Sequence, residues 1–157
     1  MRVVDNAVLA HLATLTPLAP VVGEYSGDLE ARVHDGYVTP DDKEGKVISK
    51  ALPYVVYLSN VGDDINRRLA GYNSRRSVFF ATTYVGDSRE QCKVAGEAVY
   101  AALADKRIPG MPANSGRIQL DTSDRIRRDD DAARPDGTPL FYGVTTWSVA
   151  LARGSNQ

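Results

Sequence analysis

The chain has 157 residues and a mass of 17.0 kDa, a length that ordinarily builds one core rather than two. With 43% hydrophobic and 25% charged residues and a net charge of −1, it has enough apolar residues for that core and lacks the Lys and Arg surplus of a protein that coats nucleic acid. A single cysteine, Cys92, excludes an intrachain disulfide and a thiolate zinc site.

Asp5 interrupts the N-terminus where a signal peptide needs apolar residues, and no later run approaches the ~18 of a membrane span. A cytoplasmic origin with no membrane partner is therefore expected. Val4, Val8, Leu12 and Leu15 recur at helical spacing and predict an amphipathic helix ending before Pro17. Residues 17–28, broken by Pro20, Gly23 and Gly27, read as a loop. Residues 31–39 predict a strand interrupted at Asp35-Gly36. The next eight positions, 39–46, hold no apolar side chain, so burial cannot offset the cost of ordering them, and a mobile loop is expected over roughly 39–50.

Residues 53–58 and 76–85, rich in β-branched and aromatic side chains, are the two firmest strands. Between them lies a long polar loop, and the charged cluster Asp63, Asp64, Arg67, Arg68, Tyr72, Arg75 and Arg76 runs along it into the start of the second strand. Ser88-Arg-Glu-Gln91 has the form of a capping box, and Cys92, Ala95, Val99, Ala102 and Leu103 form the apolar stripe of the helix it opens, ended by Pro109-Gly110. Residues 117–127 and 139–152 predict two further strands, a long hairpin joined by the charged loop 128–137. In the last strand Phe141, Trp147, Val149 and Leu151 alternate with Leu140, Tyr142 and Val144, so both faces are partly apolar. The face away from the helices needs a cover, either another subunit or a loop folding back.

The residues offer little chemistry. His11 belongs to the first helix, His34-Asp35 has no nucleophile motif beside it, and Cys92 lies on an apolar stripe. Phosphate-binding glycine loops, a nucleophile elbow and a helical His pair are missing from the sequence. Asp129-Asp130-Asp131 with Asp136-Gly137 lacks the alternating acids of a calcium loop. No catalytic residue, metal ligand or cofactor is expected. What remains is charge: Arg125, Arg127, Arg128 and Arg134 beside Asp129, Asp130 and Asp131, and the cluster from Asp63 to Arg76, both suited to protein contacts. Of the 19 basic residues 14 are Arg, and of the 20 acidic residues 15 are Asp, a pairing that forms bidentate contacts.

The order of these segments, with Pro53-Tyr-Val-Val-Tyr-Leu58, Phe79-Phe80, Ala98-Val99-Tyr100-Ala101-Ala102-Leu103 and a closing Arg- and Asp-rich hairpin, resembles the tail terminator (tail completion) family of long-tailed bacteriophages. The resemblance spans nearly the whole chain as one domain. It implies an α+β fold, a mainly antiparallel sheet of about four or five strands with two helices packed on one face. It further implies a six-membered ring on the last ring of the tail tube, located in the virion at the tail-neck junction after assembly in the host cytoplasm. Its partners would be its own copies, the major tail tube protein and a head-tail connector or completion protein, with DNA passing through the channel without specific binding. Alternatives are another neck or head-completion protein, a small hydrolase acting through His34-Asp35 or Cys92, and a nucleic-acid-binding module built on the Arg clusters.

Overall fold

The computed structural model describes residues 2–59 and 75–152. Helix α1 (Arg2–Ala13) buries Val4, Val8 and Leu12, the face its spacing predicts, and a 3-10 turn over Thr16–Leu18 follows it at Pro17. The Tyr57 hydroxyl donates to Asp5 Oδ1 at 2.5 Å and ties α1 to the sheet. Helix α2 (Arg89–Leu103) starts at Ser88, whose hydroxyl accepts from the Gln91 amide at 3.2 Å. The Gln91 side chain accepts from Asp87 N at 2.7 Å, one residue before the cap, so the box closes one position wider than its usual form. Six residues before Pro109, α2 ends at Leu103 because Asp105 turns into the left-handed region (φ 55°) and the chain then pairs with a strand.

Val21 and Val22, expected in a loop, instead form β1 (Val21–Val22) and pair with β2 (Leu29–Glu30), just past that loop, as a small antiparallel ribbon. Strand β3 (Val33–Asp35) stops where Gly36 takes φ 77°, at the predicted break, and runs parallel to β4 (Tyr54–Ser59). The others are β5 (Arg75–Gly86), β6 (Ser115–Ser123), β7 (Arg127–Ala133) and β8 (Pro139–Ala152). The sheet order is β3-β4-β5-β8-β6, with β7 also on β8. All pairs except β3–β4 are antiparallel. The fold is thus α+β, a mixed, mainly antiparallel six-stranded sheet with both helices packed against it.

The extra strand corrects the sequence reading of residues 128–137 as a loop. Asp is a poor strand former, but β8 is 14 residues long while β6 ends at Ser123, and the first residues of β8 need partners for their main-chain groups. Arg127, Arg128 and Asp129 supply them opposite Tyr142, Phe141 and Leu140. The turn itself is short: Arg134 N bonds Thr138 O at 2.9 Å, and Asp136 Oδ1 accepts from Thr138 N at 3.0 Å.

Trp147 and Val149 enter the main core with Val55, Tyr57, Val78 and Phe80 below the helices. On the other face Tyr54, Val85 and Leu140 are covered by Val38, Ile48 and Leu52, so at this end the cover is a loop folding back. Segment 39–50 supplies Ile48 to this cover and has no apolar run of its own. Its main chain pairs instead: Ile48 N bonds Ala133 O at 3.0 Å, Ala133 N bonds Lys46 O at 2.8 Å, and Asp42 Oδ1 accepts from Lys46 N at 2.7 Å.

Candidate assembly interface

Strands β6 and β7 lie end to end along one side of β8 and form an edge of the sheet. Among the described residues, that edge is paired only near its ends, by Lys106 at Ile118 and by Val47 at Ala133. The stretch between them carries Asp121, Asp124, Arg125, Arg127, Arg128, Asp129, Asp130 and Asp131. Charges of both signs discourage indiscriminate edge-to-edge pairing, yet leave the edge open to a partner of complementary pattern. Asp129 Oδ1 accepts from Asp131 N at 3.0 Å, a local turn that forms the irregularity between Asp129 and Ala133. Arg128 Nε bonds Asp130 at 2.7 Å, but both are exposed, so the pair contributes at most about 1 kcal/mol. Arg125, in the break between β6 and β7, and Arg127 are exposed and make no ion pair among the described residues.

Arg134 differs from the other arginines of this region. Its side chain is only 17% exposed, bonded to Glu24 and 3.5 Å from Asp87, with Tyr25 stacked 5.7 Å from its guanidinium carbon. It therefore locks the ribbon β1–β2 to the β7–β8 turn and the entry to α2. Of the other expected contact residues, Arg75 and Arg76 open β5 opposite Ala152 and Leu151, while Asp63, Asp64, Arg67, Arg68 and Tyr72 lie outside the described residues. The ribbon, and a groove beside α2 lined by Tyr84, Gly96, Tyr100, Ile126 and Thr145, were not foreseen. Val21-Val22 and Leu29, set either side of Gly23 and Gly27, were the available signal for the ribbon.

The groups considered for catalysis are poorly placed. His34 and Asp35 are consecutive on β3 and so project to opposite sides of the sheet. The His34 ring stands edge-on to Tyr54 at 5.4 Å, its Nε2 is buried without a partner among the described residues, and burial, then Lys50, lowers its pKa against a smaller opposing effect of Glu30. Cys92 is fully buried, with its thiol directed at the Phe141 carbonyl 3.1 Å away. Burial pushes the thiol up to about 11, above the ordinary 9.0, so almost no thiolate exists at neutral pH. Native protein should consequently react with an aromatic disulfide reagent at pH 7 no faster than it unfolds; immediate stoichiometric labelling would contradict this placement. Among the described residues no group of three or more His, Cys, Asp or Glu is placed to hold a metal ion.

No protein-family model matches the chain, and no curated protein does. Among solved structures, it matches a chain of the "Virion of native gene transfer agent (GTA) particle" with a TM-score of 0.54 and 16% identity. The two chains share a fold. The match covers 94% of this chain and 92% of the virion chain, so it takes in helices and sheet together rather than one motif.

Proposed function

We propose that this protein is a structural component of a virion, a ring of identical copies that caps the tail tube, ends its polymerisation and offers the head connector a joining surface. The carrying observation is the full-length likeness in fold to a chain of a gene transfer agent virion, which agrees with the tail-terminator resemblance of the sequence. The open charged edge of β6 and β7 supports the reading, since a cap works through contacts rather than through a reaction centre. A head-to-tail contact that closes on itself leaves no lateral edge, and growth is then limited to the two faces of the ring. If only one face matches the tube subunit, elongation stops there. The near-zero net charge suits a channel that DNA traverses without being held, because each phosphate contact would be multiplied by the number of copies.

Electron microscopy of particles made without the gene tests this reading. Overlong tubes without heads are expected; tails of ordinary length joined to filled heads would refute it. We further assign the edge arginines, together with the cluster at 63–76, to ring or tube contacts. Reversing charge at Arg127 and Arg128, or at Arg67 and Arg68, should block joining while leaving the thermal melting of the isolated protein within a few degrees. Normal tails from both variants would remove the assignment.

A further inference from the structure

On β3, His34 faces away from the helices. It pairs with Val56, and its ring stands edge-on to Tyr54 at 5.4 Å, in the small core that Ile48 and Leu52 help to close. Its Nε2 is buried and has no hydrogen-bond partner among the described residues. A neutral imidazole tolerates this, because with its proton on Nδ1 the other nitrogen carries no hydrogen. An imidazolium does not, since Nε2 would then hold a charged N–H away from water with nothing to accept it.

The groups around the ring add to this bias. Lys50, from the segment that folds back over the sheet, opposes a second positive charge. Arg32, two residues earlier in the chain, spends its Nε on the Ala19 carbonyl at 2.7 Å. Asp35 projects to the other face beside Tyr57, and burial keeps the Tyr54 phenol un-ionised. Glu30 favours a proton on the ring, but its carboxylate already accepts from the Ala51 amide at 3.0 Å. An imidazolium would draw Glu30 off that amide and push Lys50 away, and both effects fall on residues 50 and 51.

We propose that His34 is an acid-sensitive latch: the neutral ring lets residues 47–52 lie on the sheet, and a proton taken up by the imidazole releases them. The segment is held by Ile48 N on Ala133 O at 3.0 Å, by the bond between Ala51 and Glu30, and by the side chains of Ile48 and Leu52. Its release uncovers Tyr54, Val85 and Leu140 and frees the Ala133 main chain, lengthening the open edge of β6 and β7. The latch works within one chain, whether or not copies close a ring. Burial, then Lys50, hold the folded ring below the ordinary 6.5, so the opened state binds the proton first. The latch is therefore closed above about pH 6.5 and weakens as pH falls below it, by up to about tenfold per pH unit, until the folded ring is itself protonated.

Amide hydrogen exchange of the full chain from about pH 7.5 to about pH 5, corrected for the intrinsic pH dependence of exchange, tests this. The Ile48 and Ala51 amides should exchange well ahead of that of Thr82 in the core, as a local opening. Their protection should fall by up to about tenfold per pH unit below pH ~6.5, and His34→Phe should abolish the fall. His34→Gln, which also cannot take the proton, repeats the comparison if the larger ring fails to fold. An equal fall with and without the imidazole overturns the latch, and so does exchange of Ile48 and Ala51 no faster than that of Thr82. In the unaltered chain, whose histidines are His11 and His34, an NMR titration should find the His34 ring still neutral at about pH 6.5; a ring already mostly protonated there also overturns it.

Discussion

Trp147→Ala should destabilise the protein by about 3–5 kcal/mol, comparable with much of the ~5–15 kcal/mol that separates a folded domain from its unfolded chain. Trp147 is fully buried in the middle of β8, opposite Phe80 on one side and Leu120 on the other. Its ring stacks on Phe80 with centroids 6.4 Å apart and reaches the same distance from Tyr100 on α2. Removing it opens a cavity where helix and sheet meet. It also strips a buried hydroxyl of its donor, since Nε1 bonds Thr82 Oγ1 at 3.0 Å. Trp147→Phe separates the two effects: most of the packing stays, and a loss of about 1–3 kcal/mol remains from the smaller ring and from the Thr82 hydroxyl, which keeps only its long bond to the Thr145 carbonyl at 3.5 Å. Urea denaturation of the three proteins gives the ordering. A Trp147→Ala protein within about 1 kcal/mol of the original would mean that the core does not depend on this residue.

The same contrast between local and distant causes explains what the sequence disclosed. Helix α1 and strands β4 and β5 were legible because the period of their own apolar residues specifies them, and the capping box marked the start of α2. Strand β7 was not, since the main-chain needs of β8 produce it against the preference of Arg127-Arg-Asp-Asp-Asp131. The end of α2 was misplaced for a related reason, its exit being taken up by pairing at Ile118. Charge told a similar story. The clusters were visible as composition, but nothing local distinguished Arg134, whose partner Glu24 lies 110 residues away, from Arg125 and Arg127. The ribbon was hidden because its two strands have only two residues each, too few to show a period.

Gly143→Ala should also destabilise the fold, by about 1–3 kcal/mol, and Gly143→Val by more, although replacing a strand glycine ordinarily gains about 0.5–1 kcal/mol. The reversal of sign comes from Tyr84. It pairs directly with Gly143 across β5 and β8, and its ring lies over the glycine, so an added Cβ would stand 2.6 Å from its hydroxyl oxygen. The ring cannot move away freely, because a Cβ at Gly96 on α2 would stand 2.9 Å from Tyr84 Cζ on the other side. Two glycines thus form the slot that lets α2 lie against the sheet. A double-mutant cycle with Tyr84→Ala isolates this cause: without the ring, Gly143→Ala should cost almost nothing, and equal losses in the two backgrounds would refute the slot.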